Sequence, residues 1–170
     1  MIGYGKGADM KRRAFIMLGA AVSATGFSFF GFGKREDPWG VIEAVQNHLF
    51  PKSGEFPSAE MFGATRYLKM NISHPTFDPD DREFLPEGAK RLEREYGFLK
   101  RSSAEREKVL QRWKESVYGE RWLATLVYYS LEAMLADPIY GGNRLESGWR
   151  SLHHRPGEPR PRQRYGKYHG

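Results

Sequence analysis

Apolar residues recur along this chain at helical spacing, and the polar punctuation between them falls where helices start and stop. Asp37-Pro38 opens the first segment, since aspartate caps free amides and proline suits the first helical position. Trp39, Ile42, Val45 and Leu49 then share a face until Pro51 ends the run. Ser58 predicts a second helix, with Phe62, Leu68 and Ile72 turned inward and an end before His74-Pro75. Asp78-Pro79 repeats the start signal. Phe84, Leu85, Leu92 and Tyr96 follow it to a C-terminal cap at Gly97, with Pro86 either in the first turns or at a break. Ser102-Ser103-Ala104-Glu105 has the form of a capping box, and Val109, Leu110, Trp113 and Val117 continue as an apolar stripe. After Gly119 comes the most hydrophobic segment, Trp122 to Leu135, with Leu123, Leu126, Val127, Leu131 and Met134. It is expected at the centre of the core.

No alternating run with hairpin chemistry occurs, so the pattern predicts an all-α fold. That fold is a single small helical domain of about five helices over residues 34–152, with a short helix within Leu145–Leu152. An N-terminal export leader over residues 1–33 precedes it. An extended basic tail, residues 153–170, follows, its Pro156, Pro159 and Pro161 favouring a form that lies along another surface.

The leader rests on Arg12, Arg13 and Phe15, followed by residues 14–32 without a charge. Adjacent arginines before a mildly apolar run read as a twin-arginine signal, a route that carries folded cargo. An ordinary secretory signal and a retained anchor are the alternatives, the run being close to the ~20 residues that span a bilayer. Gly19, Ser23, Thr25, Gly26, Ser28 and Gly31 lower its hydrophobicity below that of a stop-transfer helix.

Composition narrows the chemistry. There is no cysteine in the 170 residues, which excludes disulfides, thiolate zinc sites, iron–sulfur ligation and covalent c-type haem. The net charge is +6, and Lys6, Lys11, Arg12 and Arg13 against Asp9 carry about half of it. Much of the remainder lies in the tail, a charge suited to an acidic protein surface or anionic lipid; export argues against nucleic acid.

Asp78-Pro79-Asp80-Asp81-Arg82-Glu83 fails as a calcium loop, because Glu83 stands where glycine is needed and Ala89 where the bidentate glutamate is needed. A helix start is the better reading. His48, His74, His153, His154 and His169 lack the i, i+4 spacing that presents two imidazoles to one metal. Gly3-Tyr4-Gly5-Lys6-Gly7 has no preceding strand and no P-loop lysine–hydroxyl pair. The sequence nominates no catalytic, cofactor-binding or metal residue.

The sharpest remaining signal is Asp137-Pro138-Ile139-Tyr140-Gly141-Gly142-Asn143 with Gly148-Trp149. Proline breaks the preceding helix, and the paired glycines allow positive φ or close approach to another chain. Tyr140 and Trp149 have the amphipathic faces enriched at interface hot spots. Tyr140, Gly141, Gly142, Asn143 and Trp149 are therefore candidates for a partner interface. A tight turn with both aromatics internal is the alternative, and the two are compatible.

This string, with the Arg12-Arg13 leader, the helical body and the Pro/Gly/Arg/Tyr tail, resembles the gluconate 2-dehydrogenase subunit 3 family. The family provides the small subunit of membrane-associated flavin-dependent sugar and sugar-acid dehydrogenases. The resemblance implies a chain with no cofactor of its own. FAD and the catalytic residues are expected in a large-subunit partner, with haem in a third, cytochrome c subunit. It also implies help in maturing the large subunit and exporting it through the twin-arginine translocase to the periplasm, at the inner membrane. His153-His154-Arg155 and the long arginine tail depart from a tidy match. A stand-alone exported helical enzyme or ligand-binding domain is the competing class.

Overall fold

A computed structural model describes residues 37–164. The leader and residues 165–170 of the tail lie outside the described residues. Seven α-helices follow one another: α1 Pro38–Leu49, α2 Ala59–Phe62, α3 Ala64–Asn71, α4 Pro79–Tyr96, α5 Ser103–Lys114, α6 Val117–Leu135 and α7 Ser147–Ser151. Short 3₁₀ turns occupy Phe98–Lys100, Pro138–Tyr140 and Arg144–Glu146. No strand occurs among the described residues, where a single bridge pairs Ser53 with Phe56. The fold is all-α.

Most helix starts are closed by the expected side chains. Asp37 Oδ1 accepts the Trp39 amide at 3.1 Å, and Asp78 Oδ1 accepts those of Asp80 and Asp81 at 2.8 and 3.1 Å. The capping box is complete: the Ser102 amide donates to Glu105 Oε2 at 2.9 Å, and the Glu105 amide to Ser102 Oγ at 3.4 Å. Pro86 neither starts nor breaks a helix but sits inside α4. Proline there removes one helical hydrogen bond, yet Leu85, Ala89 and Leu92 on the inner face are fully buried and hold the helix through it.

Three further expectations are corrected. The helix from Ser58 to Ile72 is divided at Gly63, whose φ of 80° ends α2 and leads into α3. A Cβ there would meet Arg144 Cδ at 3.0 Å and the Gly141 carbonyl oxygen at 3.4 Å, so later parts of the chain press on the bend. Val117 leaves the α5 stripe: Ser116 is extended and its Oγ accepts the Gly119 amide at 3.0 Å, so α6 starts at Val117, which is 86% exposed. Finally, α6 is central on only one face. Trp122, Leu126, Tyr129 and Ala133 are buried, while Tyr128, Leu131 and Leu135 are exposed.

Trp122 anchors the main core. Its indole N–H donates to the Leu85 carbonyl at 3.0 Å, and its ring stands edge-on to Trp113. A buried polar chain crosses this core: Thr65 Oγ1 donates to Gln46 Oε1 at 2.7 Å, Gln46 Nε2 to Ser130 Oγ at 3.0 Å, and Ser130 Oγ to the Leu126 carbonyl at 2.7 Å. With every member satisfied, the chain fixes α1, α3 and α6 relative to one another. A second cluster, Ala59, Phe62, Ala64, Tyr67, Ala133 and Met134, lies under the C-terminal half of α6.

Candidate functional site: the loop at the carbonyl end of α6

The last carbonyls of a helix have no partner within it. Those of α6 are met by side chains from further along. The Trp149 indole N–H donates to the Leu135 carbonyl at 2.7 Å, and Asn143 Nδ2 to the Ala136 carbonyl at 3.0 Å. Asn143 Oδ1 also accepts the Gly148 amide at 2.9 Å, closing the loop on itself. Asp137 starts the turn by accepting the Ile139 amide at 3.0 Å, and the Tyr140 carbonyl accepts from Asn71 Nδ2 at 2.9 Å.

The glycines let this loop touch the helix backbone. A Cβ on Gly142 would lie 2.2 Å from the Ala133 carbonyl oxygen, and one on Gly148 would lie 2.1 Å from that of Met134. The Gly-Gly pair serves the loop's own packing: Gly141 has φ 98°, a Cβ on it would lie 2.5 Å from Met70 Sδ, and Gly142 approaches the backbone of α6. The structure thus brings Tyr140, Gly141, Gly142, Asn143 and Trp149 together. Gly141, Gly142 and Asn143 are buried, Trp149 is 5% exposed, and Tyr140 is half-buried.

Sequence reasoning missed the fastener. Arg160, in the basic tail, donates from Nε and Nη2 to Asp137 Oδ2, both at 2.9 Å, and from Nη1 to Glu146 Oε1 at 2.6 Å. Its guanidinium also lies 4.9 Å from the centre of the Trp149 ring. The hydrogen bonds to Glu146 and then Asp137 raise the Arg160 pKa further above its already high ordinary value. A cation here also suits the negative end of the α6 dipole. The one sequence signal was the arginine's place between Pro159 and Pro161, which limits the freedom of the tail. Arg160 pins a strained stretch: Leu145 and Glu146 have φ of 55° and 57°, and Leu145 is 80% exposed. Such backbone costs of order 1–3 kcal/mol per residue and persists only when its surroundings hold it.

A family model described as gluconate 2-dehydrogenase subunit 3 matches residues 36–157. The chain belongs to that family. No curated protein and no solved structure matches it. The family match takes in all seven helices and the loop, and stops short of Arg160. By its description, a subunit 3 protein is one component of a dehydrogenase assembly.

Between α3, the start of α4 and α6 of this subunit 3 protein lies a polar cleft of about 460 Å³ bordered by His74, Asp78, Asp81, Tyr129 and Glu132. The Tyr129 hydroxyl donates to Asp81 Oδ2 at 3.0 Å; burial first, then this bond, pushes the phenol's pKa up. Asp78 is committed to the α4 cap, as the helix-start reading required. Among the described residues, no group of three or more His, Cys, Asp or Glu is placed to hold a metal ion. Nor is any helix there long and apolar enough to cross a membrane.

Proposed function

We propose that this chain is the non-catalytic small subunit of a flavin-dependent sugar or sugar-acid dehydrogenase, assisting maturation of its large subunit and supplying its twin-arginine export address. The observation that carries the reading is the subunit 3 family match across the whole helical domain. The loop supports it: Asn143 and Trp149 of its most specific string spend their hydrogen bonds holding the end of α6, and Asp137 starts the turn that follows. In this reading FAD resides in the large subunit and a cytochrome c subunit receives the electrons. The assembled complex works in the periplasm at the inner membrane. Arg12, Arg13 and Phe15 are the residues the translocase reads, and the face around Tyr140 meets the large subunit.

The test is affinity isolation of the co-expressed complex with a flavin absorbance scan, followed by replacement of Arg12 and Arg13 with lysine. The wild type is expected to bring down a yellow flavoprotein, and the double replacement to leave that flavoprotein in the cytoplasm. Active large subunit in the periplasm despite the replacement would defeat the escort role. Turnover by the purified chain alone would support the stand-alone enzyme instead.

A further inference from the structure

Helix α6 is apolar on two faces but buries only one. Ala124, Tyr128, Leu131 and Leu135 recur at intervals of four, three and four residues, the spacing of a seam that packs against another helix. All four are exposed, Tyr128 at 61%, Leu131 at 39% and Leu135 at 47%. The stripe runs ~16 Å along the axis, about three turns. Beside it is an apolar groove of about 590 Å³ that also takes in Tyr67 and Tyr140. An amphipathic helix exposed on an apolar side is a partner-helix site.

Charge selects the partner. Glu120 and Glu132 flank the stripe on opposite sides, and neither forms an ion pair among the described residues. Glu132 also borders the cleft that holds Asp78 and Asp81. Arg121, at the N-terminal end of the stripe, is turned aside, its guanidinium 5.0 Å from the centre of the Phe84 ring. A second copy of this chain would bring the same two glutamates against their like.

We infer that the outer stripe of α6 seats a helix of the large subunit whose own apolar stripe is flanked by lysine or arginine. The inference rests on the small-subunit reading and gives it an address on the surface. The α6-capping loop then has a purpose in the assembly, since it holds the C-terminal end of the docking helix in place.

A photo-crosslinking residue placed at Leu131, and separately at Leu135, in the complex co-expressed with the large subunit tests this, with the crosslinked peptides read by mass spectrometry. The expected product joins position 131 to a basic, amphipathic helical segment of the flavoprotein. Leu131→Glu and Tyr128→Ala should lower recovery of the flavoprotein about tenfold or more, the scale of a central hot spot. Leu152→Glu, also at an exposed leucine, should leave recovery unchanged. Glu120→Lys combined with Glu132→Lys should weaken capture and reverse its loss in high salt. Thermal melts of each variant alone verify folding. A crosslink to a second copy, or an undiminished complex from folded Leu131→Glu, overturns the docking face while leaving the small-subunit reading intact. If the wild-type chain captures no flavoprotein, the small-subunit reading falls, and the docking face with it.

Discussion

Replacing Asn143 with alanine tests whether the signature loop is held as described. Asn143 is fully buried and joins two ends: Nδ2 donates to the Ala136 carbonyl at 3.0 Å, and Oδ1 accepts the Gly148 amide at 2.9 Å. Losing both bonds while leaving a buried N–H without a partner costs about 2 kcal/mol after allowance for relaxation. Alanine at φ 43° adds about 1 kcal/mol, because asparagine visits the left-handed region more readily than other side chains. The expected loss is about 3 kcal/mol, or roughly 10 °C in melting temperature for a domain of this size. Circular dichroism during heating and urea titration reads it, with an unchanged urea slope showing that the denatured state is unaltered. Asn143→Gly separates the contributions. It removes the same hydrogen bonds but relaxes the backbone, and should cost about 1 kcal/mol less than alanine. A loss below about 0.5 kcal/mol for Asn143→Ala would refute the claim that this side chain ties the loop to α6.

Three further outcomes follow from the same geometry. Gly142→Ala forces a methyl against the Ala133 carbonyl and should cost about 3 kcal/mol or more by urea titration, whereas Gly157→Ala, with nothing within 4 Å, should be neutral. Arg160→Met should speed protease cleavage and amide exchange within residues 137–149 at low salt, with a smaller difference at high salt; unchanged protection would show that the tail does not fasten the loop. Tyr129→Phe should destabilise the domain by about 1 kcal/mol at neutral pH and flatten its alkaline unfolding. The sign follows from the raised phenol pKa: the folded state holds that proton more tightly, so its stabilisation is complete below the unfolded tyrosine value of about 10 and is lost as pH rises above it. Tyr118, also raised by burial, adds a slope of the same sign.

Helix starts were legible because their chemistry is local: Asp37, Asp78 and Ser102 each reach amides within three residues. Features set from a distance were not. Gly63 reads as a tolerated mid-helix glycine until Arg144 and Gly141 are known to press on it. Gln46 follows Val45 on a helix of mostly apolar pattern, and only its bonds to Thr65 and Ser130 explain its burial. The string from Asp137 to Trp149 was recognisable as a unit, and the structure turns most of it inward on α6. Arg160 was missed because its partners lie 23 and 14 residues away, a pairing that no spacing rule reveals. Leu131, expected in the core with the rest of the α6 segment, faces outward, since apolar periodicity reports that a face seeks a partner without saying which chain provides it.

The order in which the carbonyl end of α6 is closed has a consequence for biosynthesis. Asn143, Trp149 and Arg160 all follow α6 in the chain, so a ribosome must add them before that helix has its caps. A truncated nascent product lacks these closures however well its earlier helices form. The arginine pair proposed as the export address, by contrast, is translated first. Fastening of the loop by Arg160 therefore distinguishes a chain translated through residue 160 from one interrupted before it. Under the export route proposed here, that difference arises before the translocase meets its cargo.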